Sequence, residues 1–275
     1  MNLPPRLDAP LLYAVGLGSG VANRLLHPFL TYKPADYAAD NIERGVSHVR
    51  EICDRWQQAL QAAAPDETFA GKRILELGPG HSLGTGLVLL ARGAASYTAV
   101  DVFPLVYRSP AALYTALARA EGATPDLVKE ARFHLVEFPS LRPLDESFDV
   151  VVSNSTMEHV EDVPSTMRAL RARVSGFMVH HIDAQVHLRV REIDPLNHLR
   201  FGERTYQLMY FAGEPNRLLA EDYRSVALQA GFTDAKVLPG RVASADYLAR
   251  VNSKLAPRFR GRRDLQYLSF TLFAR

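Results

Sequence analysis

Five short apolar segments, spaced by stretches of helical periodicity, constrain this chain more than any other feature. They are the run that opens at Ile74, SYTAVD (96–101), RFHLVEF (132–138), the Val run from Phe148-Asp149 to Asn154, and GFMVHHI (176–182). Helical stretches at 85–93, 109–121 and 163–174 fall between them. Strands that alternate with helices run parallel, because each helix carries the chain back to the sheet edge it started from. Near-continuous apolar strands also require cover on both faces. After a helix at 219–230, GFTDAKVLPG (231–240) and LQYLSFTLFAR (265–275) read as strands six and seven. The pattern predicts an α/β fold with a seven-stranded, mostly parallel sheet and helices on both faces. In such sheets the ligand lies beyond the carboxyl ends of the strands.

The first strand breaks directly into glycines, in ILELGPGHSLGTG (74–86). A glycine turn after a buried strand lets the backbone approach a phosphate, a dinucleotide or a sulfonium cofactor. A phosphate-cradling loop ends in Lys followed by Ser or Thr, whereas Thr85, Gly86 and Leu87 follow Gly84. A dinucleotide fingerprint starting at Gly78 needs Gly or Ala at 83, where Leu83 stands. Gly80, Gly84 and Gly86 spell GxxxGxG, which resembles the cofactor turn of short-chain dehydrogenases. That family needs Tyr-x-x-x-Lys, and no tyrosine here has a lysine four residues later.

What remains is Glu76-Leu-Gly78-Pro79-Gly80, an acid two residues before a GxG turn. It resembles motif I of the class I S-adenosylmethionine-dependent methyltransferases, and the later strand ends keep the resemblance going to about residue 182. The resemblance implies a Rossmann-like fold, S-adenosyl-L-methionine as cofactor, and a small-molecule acceptor. It places Glu76, Gly78, Pro79 and Gly80 at the methionyl part of the cofactor. Asp101, with Val102 beside it, would take the ribose hydroxyls, and Glu137, with Phe138 beside it, the adenine amino group. Asn154 would join them from the loop after strand four. Two other readings stay open: a non-catalytic binding or scaffolding relative, and an NAD(P)-dependent oxidoreductase. Asn-Pro-Pro-Tyr/Phe, with which amino-methylating enzymes hold a nucleic-acid base, is absent where SNSTMEH (153–159) stands.

An oxygen acceptor has to lose a proton, and imidazole is the usual base near neutral pH. The candidate catalytic residues are His159 after strand four and His181, Asp183 and His187 at and after strand five. Strand alternation turns His180 and His181 to opposite faces. A metal-free role is expected, in which Asp183 orients a histidine. The spacing in HHIDAQVHL also lets a turn bring His181, Asp183 and His187 together around a divalent cation. His198 and Arg200 could then close over a sugar, polyol or phenol-like acceptor. Residues 183–218 form the acceptor-side insert of a domain spanning 71–275.

Residues 1–70 are expected to form an N-terminal helical cap or lid. APLLYAVGLGSGVA (9–22) is too short and glycine-rich for a membrane span, and it lacks the basic start and cleavage site of a leader. Ile42, Val46, Val49, Ile52, Trp56 and Leu60 share one face of a long helix ending before Pro65. Tyr32 and Tyr37 at its entrance are further contact candidates. The 275 residues, 47% hydrophobic, suffice for one large core, and a net charge of +2 is too small to imply nucleic acid. The single Cys53 excludes an internal disulfide and a cysteine zinc site, which suits a cytoplasmic protein. Arg258, Arg260, Arg262 and Arg263 read as solvated surface. The partners expected are a small-molecule acceptor, with homo-oligomer formation left open, no nucleic acid and no membrane span.

Overall fold

The computed structural model describes residues 9–29, 38, 41–188 and 190–275, so Tyr32 and Tyr37 lie outside the described residues. The strands are β1 (Arg73–Leu77), β2 (Ser96–Asp101), β3 (Arg132–Leu135), β4 (Phe148–Asn154), β5 (Val174–Asp183), β6 (Ala235–Pro239) and β7 (Ser269–Ala274). They form one sheet in the order β3-β2-β1-β4-β5-β7-β6. The first five run parallel, and β7 is antiparallel to both β5 and β6. The order reverses between β1 and β4, and a crevice opens at such a reversal.

Alternation along the strands divides two cores. Ile74, Val150 and Val152 face one side, which is covered by α2 (Ile42–Ala63), α3 (Gly84–Ala91) and α4 (Ala111–Ala120). Leu75, Leu77 and Val151 face the other, under α5 (Val163–Arg171) and a later helix at Ala220–Gln229. At the amino-terminal edge Arg73 pins β1 to β4, its backbone N–H and guanidinium donating to Asp149 at 2.8 and 3.0 Å. The bond to the Arg73 side chain, above all, holds the Asp149 carboxyl at about 2.

The long helix α2 starts at the cap Asn41, whose side chain accepts from the Arg44 N–H at 3.0 Å. Its apolar face lies in the same core as the sheet. Trp56 is fully buried there and donates from Nε1 to the Ser153 carbonyl at 3.0 Å. The N-terminal helix α1 (Ala9–Leu26) packs instead on the insert after β5. Tyr13 meets Phe201 at 4.7 Å between ring centroids, and the Asn197 amide donates to the Leu12 carbonyl at 3.0 Å. Val15, Leu17 and Val21 add to a small apolar cluster around Val190, Phe201 and Met209.

Some expectations are corrected. β3 ends at Leu135 rather than at 138, because the Glu137 N–H turns to the Arg142 carbonyl and Pro139 has no N–H to give a ladder. Arg260 and Arg262 are not simply solvated: Arg260 donates to the Leu255 carbonyl at 2.7 Å, and Arg262 bridges Asp222 and Asp264 at 2.9 and 2.7 Å. No helix among the described residues is long and apolar enough to cross a membrane.

Candidate functional site

The glycine turn leaves β1 at the sheet reversal. Its Gly78 N–H donates to the Val100 carbonyl at 2.8 Å, and Thr156 Oγ1, from the loop after β4, donates to the Leu77 carbonyl at 3.1 Å. Gly78 and Gly80 adopt φ of +67° and +70°, a region that disfavours any residue with a Cβ. A Cβ on Gly78 would strike Thr156, whereas one on Gly80 would meet nothing within 4 Å. Bare backbone at Gly80 therefore faces open space, as close approach of a cofactor demands. Glu76 sits beneath the turn. Alternation places it on the α3 side, where its Oε2 accepts from Thr85 Oγ1 at 2.5 Å and Tyr97 OH at 2.6 Å. Burial raises its carboxyl to about 7.

Asp101 ends β2 at the same edge and accepts from the Phe103 N–H at 3.0 Å. Burial pulls its carboxyl up, and the N–H groups of Phe103 and Val102 oppose this. Val102 and Phe103 beside it are about half exposed, at 48% and 44%. An acid flanked by uncovered apolar surface suits a nucleoside, which brings hydroxyls and a flat apolar face together. Glu137 is exposed at the bend beyond β3, while Phe138 turns inward against the second core. Asn154 closes β4, and its Oδ1 accepts from Arg55 Nη1 of α2 at 2.7 Å.

The histidines separate into two groups. His180 is fully buried, its Nδ1 2.8 Å from Ser153 Oγ, and burial lowers it to about 3. His181 Nδ1 lies 3.2 Å from Thr271 Oγ1 of β7, and burial, followed by the Arg55 charge, lowers it to about 4. The expected meeting of His181, Asp183 and His187 forms only in part: His187 Nε2 comes to 3.8 Å from Asp183 Oδ2, whereas β5 stays extended and paired with β7 through Asp183 and the His181 ring is engaged with Thr271.

The residues that do converge are Glu158, His159 and His187, whose ligand-type atoms all lie within 4.8 Å of one another. Glu158 is 2% exposed; its Oε1 accepts from the Asp183 N–H at 3.3 Å, and its Oε2 has no partner among the described residues. Burial raises this carboxyl to about 8. His159 Nδ1 is 2.7 Å from the Gly213 carbonyl, and the His159 and His187 rings are 5.0 Å apart. Burial lowers both imidazoles. His187 Nε2 stands 3.8 Å from Asp183 Oδ2, and Arg191 and Gln185 hold that carboxylate in place. His198 and Arg200 are both buried, and Arg200 is locked to Asp194 at 2.7 Å.

Sequence reasoning paired Glu158 with His159 as a substrate- or cofactor-side pair but did not count it among the catalytic candidates, and it left out Thr156 and Arg55. Glu158 carried a signal, an acid next to a candidate base in a strand-end loop. Arg55 carried none, since on α2 it reads as one more polar residue of an amphipathic helix.

Residues 47–237 match the family described as "Methyltransferase domain". No curated protein matches the chain. Among solved structures the fold is similar to an S-adenosylmethionine dependent methyltransferase from Mesorhizobium loti, at 17% identity over 82% of this chain and 100% of that one, with a TM-score of 0.48. It is also similar to magnesium protoporphyrin IX methyltransferase from Synechocystis PCC 6803 with bound SAH, at 14% identity over 97% and 99% of the two chains, with a TM-score of 0.46. The family match runs from within α2 into β6, well over half the chain, so the protein belongs to the methyltransferase-domain family and is a class I S-adenosylmethionine-dependent methyltransferase.

Proposed function

We propose that the protein methylates an oxygen of a small hydroxylated molecule, of the sugar, polyol or phenol class. The observation that carries this is the convergence of Glu158, His159 and His187 at the carboxyl ends of β4 and β5. A carbonyl can only accept, so the Gly213 contact puts the His159 proton on Nδ1 and leaves a lone pair on Nε2. That lone pair suits an acceptor that arrives with a proton to lose. A neutral amine would attack without such help.

When bound, the cofactor supplies a methyl group on a sulfonium. The turn at Gly78, Pro79 and Gly80 receives its methionyl part, with Glu76 bracing the turn from below. Asp101 takes the ribose hydroxyls, with Val102 beside the nucleoside and Glu137 and Phe138 at its adenine end. Asn154, held by Arg55, and His181 stand beside it at the carboxyl ends of β4 and β5. Next to Gly213 lies a polar cleft whose lining includes Glu161 and Glu214, carboxyl groups that suit a hydroxylated acceptor. The test is a methyl-transfer screen with labelled cofactor against sugars, polyols, phenols and amines. Labelled O-methyl products are expected; transfer to amines alone would overturn the reading.

A further inference from the structure

We propose that Glu158, His159 and His187 bind one divalent transition-metal cation. As a handle for the acceptor hydroxyl, the cation rests on the oxygen-acceptor reading above; its binding does not.

Three features of the cluster support the site. First, two of its ligand atoms have no hydrogen-bond partner among the described residues. His159 Nε2 is unprotonated because Nδ1–H is committed to the Gly213 carbonyl, and Glu158 Oε2 is buried with no partner among the described residues. A buried polar atom without a partner is costly, and a cation that displaces the Glu158 proton would engage both atoms at once. Second, the atoms are close enough. They lie within 4.8 Å of each other, and tetrahedral coordination at zinc-like bond lengths needs about 3.3 Å, a change within reach of side-chain rotation. Third, an outer shell is in place. The Gly213 carbonyl orients His159, the Asp183 N–H holds the other Glu158 oxygen at 3.3 Å, and Asp183 Oδ2 stands 3.8 Å from His187 Nε2. Coordination through His187 Nδ1 would turn its Nε2–H toward that carboxylate, the arrangement that fixes ring orientation at metal sites.

Ligand chemistry selects the ion. Two imidazoles and one carboxylate suit Zn²⁺, Mn²⁺, Fe²⁺ or Co²⁺, whereas Ca²⁺ and Mg²⁺ prefer an all-oxygen set. Three protein ligands leave a position open for an acceptor oxygen. The His187 side chain, 27% exposed, marks the solvent side from which the ion enters.

The experiment titrates chelator-stripped full-length protein with Co²⁺ alone, followed by calorimetry and visible absorption. One equivalent should bind with d–d bands of nitrogen and oxygen ligation. His187→Ala and Glu158→Gln should each weaken binding at least tenfold. Because His187 is partly exposed, its variant retains the fold, which circular dichroism checks. Absence of saturable Co²⁺ binding by the wild-type protein, or wild-type affinity in His187→Ala, overturns the site. O-methyl transfer that survives exhaustive chelation overturns the cation's role in turnover and leaves the acceptor assignment standing. Intact Co²⁺ binding with labelled product on amines alone overturns the acceptor assignment and leaves the site standing.

Discussion

Gly78 and Gly80 share a left-handed backbone but differ in what surrounds them. Alanine at either position incurs the left-handed cost of roughly 1–2 kcal/mol. At Gly78 the new methyl also collides with Thr156, so Gly78→Ala should melt lower than Gly80→Ala. Gly80→Ala should chiefly lose cofactor affinity, because its methyl enters the open space above the turn. Thermal melts paired with calorimetry on the demethylated cofactor separate the two effects, and equal melting losses would count against this division of roles. Asp101→Ala should weaken cofactor binding by about 1–3 kcal/mol through loss of the carboxylate–hydroxyl pair, and unchanged affinity would remove Asp101 from the site. Glu76 bears on stability. Burial raises its carboxyl from an ordinary 4.5 to about 7, so the folded protein keeps this proton to higher pH than the unfolded chain does. Its contribution is full below about pH 4.5 and is lost as pH rises through about 7, on the order of 3 kcal/mol in all. Urea melts across that window should show the decline, and Glu76→Gln should flatten it.

At the scale of elements, periodicity located the helices and strands to within a few residues, and the misses share a cause. β3 was read through to Phe138 because apolar residues recur along RFHLVEF to its end, yet Phe138 packs partly buried against the second core from a bend, without belonging to a strand. Hydrophobicity reports burial; it does not report pairing. For α2 the spacing identified the buried face but said nothing of the polar atom on it. Trp56 fills space and also donates to the Ser153 carbonyl of β4. Trp56→Phe should therefore cost about 0.5–1.5 kcal/mol, the net contribution of one buried hydrogen bond whose acceptor stays paired in the sheet. Trp56→Ala should cost about 3–5 kcal/mol, since the cavity adds to the loss. Denaturant melts distinguish these cases, and a neutral Trp56→Phe would mean that the contact contributes nothing. The histidines of β5 show the same limit. Alternation separated His180 from His181, but only the pairing with β7 revealed that the strand stays extended through Asp183.

For the whole molecule, α1 meets the insert at 183–218 in a small apolar cluster outside the two cores that flank the sheet, while Leu196 and Leu199 of the insert pack with Tyr247, Leu255 and Phe259. Elements joined to a fold by a small cluster open more readily than core strands. These two should therefore gain hydrogen-exchange protection together when cofactor and acceptor bind, while β1, β4 and β5 remain protected throughout. Equal protection in both states would count against their acting as walls over the site.

The sequence alone determined the alternation, the sheet with both faces covered, the glycine turn and the acid-ended second strand. These follow from local rules: side-chain period, glycine conformation and strand-end chemistry are set by neighbours in the chain. It also supplied His159 and His187 as candidates. Tertiary structure alone decided that Glu158 joins them and His181 does not, that Gly213 fixes a tautomer 54 residues away, and that Arg55 reaches Asn154 across 99. Such contacts depend on the angle at which a loop leaves a strand and on how far β5 stays paired. Those quantities are set by packing between distant segments, which no local spacing encodes.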